Sequence, residues 1–218
     1  ARDVVEELTG APMLYLQGAC GDLNPIVMEH AYEPARTLGV RLGCAVVDLW
    51  ERASPEAAAG LATSQTTVNL PRYRYGSEQD ARDLAEELGE QIARMEASEG
   101  NEGSLWWARR RHDGALGAAE SWSSGEALDP VPAELQALRF GGLALVSAPG
   151  EIFTENGVLV KRESPADDTF FVAYTNGSIG YVPTRQAYPE GGYEVTHACR
   201  VDPDAGDMVN DACLRVLG

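Results

Sequence analysis

Apolar positions along the chain recur at two spacings, one typical of helices and one typical of strands. Spacings of three and four residues predict helices over residues 1–9, 34–50, 78–95, 104–119, 152–160 and 204–217. Short apolar or alternating runs predict strands over residues 12–16, 61–70, 134–140, 143–147 and 170–174. Gly141 and Gly142 favour a tight antiparallel hairpin between two of these strands, because primed turns need positive φ.

This order of elements predicts a single α/β or α+β domain over residues 1–218, with mixed β-sheet layers covered by helices. We expect the strand at 12–16 and the helix at 34–50 to be buried in its core. Residues 97–129 are rich in Glu, Gly and Ser, and we expect them to form a variable helical insertion outside the centre of the fold. Its adjacent Trp106 and Trp107 could line a cleft for an apolar substrate, but packing of a helix against the core is their commoner role.

Charge narrows the range of partners. The chain has 17 basic and 34 acidic residues, a net charge of −17, which repels phosphate backbones and anionic membrane surfaces. The run Arg109-Arg110-Arg111 is the one basic patch, and it is short and flanked by acids. We therefore expect no nucleic-acid partner.

Cysteine spacing and hydropathy point to a folded chain without disulfides or membrane spans. The four cysteines show no CxxC spacing and predict free, mostly buried thiols. No apolar run approaches the roughly 20 residues of a transmembrane helix. The chain opens without an initiator Met on a helical pattern, so we expect it to be the later part of something longer.

Three loops carry the candidate chemistry. The first, residues 176–194, follows the strand at 170–174 and combines repeated glycines with Tyr181, Tyr188 and Tyr193. The second runs from Gln17 to Pro25, and its small residues can expose backbone N–H groups. The third places Glu151 between a strand end and a predicted helix start, where the helix dipole favours the ionised carboxylate. Each loop can also be interpreted as a simple structural feature without chemistry, either a turn or a helix cap.

Together these loops resemble the neutral/alkaline, non-lysosomal ceramidase family. The resemblance rests on Gly21-Asp22-Leu23-Asn24-Pro25, on Pro149-Gly150-Glu151 with Thr154 and Gly157, and on residues 176–194. It implies the later part of a ceramidase-like catalytic domain, a zinc amidohydrolase that binds Zn²⁺ through two histidines, a glutamate and a tyrosine. The substrate would be a small-molecule or lipid amide.

Carried over residue by residue, the resemblance makes Glu151 and Tyr181 metal ligands. It implies Tyr193, Asn24 and Asp22 as catalytic residues. Gly21 and Ser178 are expected in the substrate-binding part of the site. A hydrolase using a serine such as Ser178 or Ser147 is a further alternative, but no G-x-S-x-G elbow is present.

Two departures from the family pattern shape the expectation. No histidine precedes residue 18, so the two histidine ligands would come from an upstream segment or a second chain, or the metal site is lacking. His30, His112 and His197 do not occupy the family's positions. Asn24 replaces the family's serine and cannot act as a nucleophile, which favours another amide or an ester as substrate. The alternative is a catalytically inactive binding or scaffold module.

Overall fold

The computed structural model describes residues 1–27, 29, 31–54, 60–98 and 101–218. Its helices are α1 (Arg2–Thr9), α2 (Tyr32–Arg52), α3 (Glu78–Ala97), α4 (Glu102–Ser124), α5 (Thr154–Glu163), α6 (Ala187–Glu190), α7 (Tyr193–Thr196) and α8 (Ala205–Leu217). Its strands are β1 (Leu61–Leu70), β2 (Val131–Phe140), β3 (Leu143–Ser147), β4 (Glu151–Ile152), β5 (Asp168–Val172) and β6 (Tyr181–Val182). The predicted α/β class is confirmed.

The larger sheet is mixed and has the order β1-β2-β3-β5. The first two pairs are antiparallel and β3 pairs with β5 in parallel. The predicted hairpin at Gly141 is confirmed, with a φ of 61° at that residue. Alternate residues of β2, including Leu135, are buried in the core beneath α5 and α8. On the other face Leu138 and Phe170 are exposed, so in the described part of the chain helices cover one side of this sheet.

Helices α3 and α4 form a hairpin that connects β1 to β2. Ser77 caps α3, because its hydroxyl accepts the backbone N–H of Asp80 at 3.1 Å. Asn101 caps α4 in the same way. The two helices pack through small residues, with Ala81, Ala118 and Ala119 forming a cluster separate from the main core. The hairpin therefore has its own packing and stands beside the sheet.

Two predictions for the first fifty residues are wrong. Residues 12–16 form no strand, and Leu14 is 89% exposed, because the run gains no ladder of hydrogen bonds from a neighbouring strand among the described residues. Helix α2 is present but is not a core helix. It packs against α1, leaving Leu49 62% exposed and only Gly43 buried.

The four cysteines are free, as predicted, but only Cys199 and Cys213 are buried. Burial raises the pKa of the Cys213 thiol to about 12, so it is a packed, neutral group. Among the described residues, no helix combines the length and the apolar character needed to cross a membrane.

Candidate active site

Short backbone pairs bring four distant chain segments into one row. Strand β4 pairs in parallel with β6, which sets Glu151 opposite Tyr181. Tyr181 is bridged in turn to Cys199, and Val201 is bridged to Arg72. The backbone N–H of Glu151 donates to the carbonyl of Gly180 at 2.9 Å. We call this arrangement of residues 151, 181, 199–201 and 72 the four-segment row.

Buried asparagines fix the centre of the four-segment row to the helices behind it. The side-chain amide of Asn156 on α5 donates to the carbonyl of Val182 at 3.2 Å. Asn210 on α8 donates to the side-chain oxygen of Asn156 at 2.9 Å. Both asparagines are buried, where an unpaired amide would cost free energy. The position of β6 is thus set by the core.

A cavity of about 700 Å³ lies between the four-segment row and the α3–α4 hairpin. This volume is within the range of small-molecule sites. Four of the seven sequence-predicted site residues line the cavity: Glu151, Ser178, Tyr181 and Tyr193. The hairpin contributes Met95, Trp107, Arg110 and Arg111 to the opposite wall. The structure therefore brings the third and first loops together over one cavity, as the resemblance implies.

The Glu151 carboxylate affects the ionisation of the neighbouring Tyr181 phenol. Partial burial raises the pKa of the Tyr181 phenol, and the neighbouring Glu151 carboxylate raises it further. The phenol is therefore neutral at physiological pH and offers an O–H donor beside a carboxylate. A cation next to this pair would favour the phenolate, since opposite charge stabilises the ionised form.

Tyr193 and His197 occupy the neighbouring part of the cavity wall. The Tyr193 ring meets that of Tyr181 edge-on, with centroids 6.2 Å apart, and it stacks on His197 at 5.8 Å. Burial and then Arg111 lower the pKa of His197, which favours the neutral imidazole. Sequence reasoning set His197 aside. His197 follows Tyr193 by four residues, about one helical turn, and this spacing could have indicated that the two side chains lie side by side.

Gly21 and Asp22 lie behind the four-segment row and do not line the cavity. The backbone N–H of Gly21 donates to the carbonyl of Ile152 at 2.8 Å. One carboxylate oxygen of Asp22 accepts the backbone N–H and the hydroxyl of Thr154, both at 2.7 Å. The expectation that Glu151 stands at a helix start is therefore corrected. Glu151 belongs to β4, α5 begins at Thr154, and Asp22 is the carboxylate at that helix start.

Asn24 is exposed and also lies outside the cavity lining. A residue that the sequence reasoning missed, Tyr174, is hydrogen-bonded next to the site: its backbone N–H donates to the carbonyl of Gly150 at 3.1 Å. Its hydroxyl is 3.6 Å from the sulfur of Cys20, and its backbone has a positive φ of 56°. Burial raises the pKa of Tyr174, with smaller contributions from Cys20 and from the charge of Glu151. Positive φ in a bulky residue is strained and is often found at functional sites.

The donor set suits part of a zinc site. Glu151 and Tyr181 supply two adjacent oxygen donors, whereas a catalytic zinc takes three protein ligands. The described residues contain no group of three or more His, Cys, Asp or Glu side chains that could hold a metal. His30 lies outside the described residues, and His112 is on α4 beside Asp113. The pair fits zinc only if further ligands come from elsewhere.

Comparison with known proteins gives a structural relationship. No protein-family model and no curated protein sequence matches the chain. The crystal structure of the neutral ceramidase from Pseudomonas aeruginosa matches over 96% of this chain and 37% of its own, with a TM-score of 0.60 and 17% identity. The chain shares its fold with this neutral ceramidase.

A second solved structure, a ceramidase complexed with C2, matches 41% of this chain and 14% of its own at 24% identity, with a TM-score of 0.37. That likeness is too slight to add to the argument. The chain thus spans about a third of the length of the ceramidase whose fold it shares. The resemblance inferred from the three loops is confirmed at the level of the fold.

Proposed function

We propose that this chain carries part of the active site of a zinc-dependent hydrolase that cleaves an amide, ceramide-like or otherwise, or an ester. The observation that supports it is the register of β4 and β6, which sets the Glu151 carboxylate beside the Tyr181 phenol at a cavity. These are the glutamate and tyrosine that the family resemblance implies as metal ligands. The shared fold with a neutral ceramidase supports the same reaction class.

Each residue has a definable task in this reaction. Glu151 and Tyr181 would hold zinc together with two histidines from an upstream segment or a second chain. Bound zinc supplies a Lewis acid that polarises the carbonyl and activates water near neutral pH. Tyr193, with its ring against Tyr181, donates its O–H to the oxyanion that develops on the substrate. Neutral His197 is placed to accept a proton within the same wall.

The cavity wall also suits an acyl chain. Met95, Trp107 and Leu128 contribute apolar surface to the cavity that Glu151 also lines. Burial of such surface contributes roughly 25 cal/mol per Å² to binding. The sequence left two roles open for the adjacent tryptophans, and the cavity supports a substrate-facing role for Trp107.

The test uses the complete protein, with the segments that supply the histidines. Glu151→Ala and Tyr181→Phe should each lower kcat for an N-acyl amide at least a hundredfold and lower the zinc content measured by plasma mass spectrometry, while the far-UV circular dichroism spectrum shows that the fold is kept. Glu155→Ala, an exposed glutamate four residues along, is the matched control. Full turnover by a zinc-loaded Glu151→Ala protein would refute the assignment.

A second candidate is a binding module without turnover. It is favoured by the observation that the described residues hold no three-donor metal group. Metal analysis separates the two functions. One tightly held zinc per complete assembly supports the hydrolase, and none at saturating zinc supports the module.

A further inference from the structure

Four arginines line the same cavity. Arg72 and Arg200 come from the far end of the four-segment row, and Arg110 and Arg111 come from α4. The chain as a whole has twice as many acidic as basic residues. Concentrating four of its 17 cationic side chains around one cavity therefore runs against its overall charge.

These arginines are not neutralised by ion pairs. Among the described residues, none of the four lies within 4.0 Å of a carboxylate, whereas Arg82, Arg94, Arg109 and Arg185 do. Arg72 donates to the backbone carbonyl of Asp129 at 2.7 Å. The guanidinium of Arg110 lies 5.2 Å from the centre of the Trp106 ring. Neither contact cancels a charge, so the cavity keeps a cationic side.

The arrangement is unfavourable when nothing negative is bound. Burial lowers the pKa of Arg200, and the charges of Arg72 and Arg110 lower it further. Burial also lowers the pKa of Arg111, although Tyr75, Tyr193 and Glu87 act in the opposite direction. Guanidinium groups nevertheless stay charged in proteins. Like charges in a partly desolvated space repel each other, and an anion placed among them would relieve that repulsion.

The order of the four-segment row separates the cationic side from the reacting groups. Glu151 and Tyr181 are at one end, Cys199 and Arg200 follow, and Arg72 is at the other end. Adjacent strands lie about 4.8 Å apart, so the backbones of Glu151 and Arg72 are separated by roughly 14 Å. One small molecule can reach both ends. Among the residues that the structure describes, the carboxylates that line the cavity are Glu151, near the reacting end, and Asp113 on α4.

We propose that the substrate of this site carries an anionic group, a phosphate, sulfate or carboxylate, which Arg72, Arg110, Arg111 and Arg200 bind while the scissile amide lies at Glu151 and Tyr181. The inference rests on the proposed hydrolase function and names its substrate class. Arginine suits this task because its planar fork binds tetrahedral and carboxylate anions through paired, charge-assisted hydrogen bonds.

The experiment compares two matched substrates with the complete protein: N-dodecanoyl ethanolamine and its O-phosphate. We expect kcat/KM to favour the phosphate roughly tenfold or more, the size of a charge-assisted contact. Arg200→Gln and Arg111→Gln should each reduce that ratio, and added salt should reduce it too. Arg215→Gln, which makes the same charge change outside the cavity lining, should leave the ratio as it is.

Calorimetry with n-octyl phosphate, and with n-octyl glucoside as the neutral probe, reports on the anion site without turnover. Binding of the phosphate that weakens in Arg200→Gln but not in Arg215→Gln supports the inference. Equal hydrolysis of both amides with no binding of octyl phosphate overturns it and leaves the hydrolase function standing. Arginine-dependent binding of octyl phosphate with neither amide hydrolysed overturns the hydrolase function, and with it the substrate assignment.

Discussion

Gly21 offers the most direct test of how the candidate site is supported, because it touches the site from behind. A β-carbon at Gly21 would lie 2.5 Å from the carbonyl oxygen of Glu151 and 3.1 Å from Cδ1 of Phe153. The nearest atom belongs to the backbone, so no side-chain rotation can relieve the contact. In Gly21→Ala the carbonyl of Glu151 must move by about 0.9 Å to reach an ordinary contact of 3.4 Å.

The size of the effect follows from that displacement. Overpacking of a buried contact costs roughly 1–3 kcal/mol, which urea denaturation monitored by tryptophan fluorescence measures well. Misplacement of a catalytic group by about 1 Å can lower kcat/KM by on the order of a hundredfold. We therefore expect Gly21→Ala to lose stability and to lower the proposed hydrolase activity, although Gly21 does not line the cavity.

Gly18 provides the control for this experiment. It lies in the same loop, and a β-carbon there would meet only the carbonyl of Phe171, at an ordinary 3.8 Å. Gly18→Ala should be neutral or more stable by about 0.4–1 kcal/mol, because alanine restricts the unfolded chain. If Gly21→Ala matched Gly18→Ala in unfolding free energy and in activity, the close support of Glu151 described above would be wrong.

Three further predictions concern a cap, an anchor and a titrating group. Ser77→Ala removes the acceptor of the Asp80 N–H and should cost about 1 kcal/mol in urea unfolding, and Ser77→Thr should restore most of it. Asp22→Ala removes two hydrogen bonds to Thr154 in the first turn of α5 and should lower the free energy of unfolding by roughly 1–3 kcal/mol. Asp22→Asn should have a smaller effect. An unchanged Tm in Asp22→Ala would show that Asp22 does not hold the start of α5. The pKa of His197 in the folded protein is below its usual 6.5, so the unfolded state binds the proton more readily. The free energy of unfolding therefore falls as pH drops through 6.5 and then through the folded pKa. The Tm difference between wild type and His197→Gln should thus fall from pH 7.5 to 5.5, and a constant difference would refute it.

The pattern of apolar residues predicted most helices and strands correctly, but it did not predict which of them are buried. The hairpin around Gly141 and the start of α3 at Glu78 follow from local chemistry, and both were predicted. The apolar run at 12–16 and helix α2 have core-like patterns, yet Leu14 and Leu49 are exposed. Local periodicity describes which face of an element is apolar. Whether another element covers that face depends on contacts distant in sequence.

The candidate site likewise has a part that the sequence predicted and a part that it did not. Glu151, Tyr181 and Tyr193 were found because motifs in register pointed to them. Strands β4 and β6 have two residues each, which is too short to show any period, so the pairing behind the site had no signature. The run at Arg109–Arg111 was dismissed for its acidic flanks. Arg110 and Arg111 of this run line the cavity together with Arg72 and Arg200, which come from unrelated parts of the chain.

The α3–α4 hairpin and the four-segment row form opposite walls of one cavity but are separate stretches of polypeptide. The hairpin enters after β1 and returns before β2, and its helices pack mainly on each other. Replacing it would exchange one wall of the cavity, including Trp107, Arg110 and Arg111, while Glu151 and Tyr181 stay in register. Such a division means that one wall of the cavity can be altered within a single insertion, and protein engineers could exchange that insertion without rebuilding the pairing of β4 with β6.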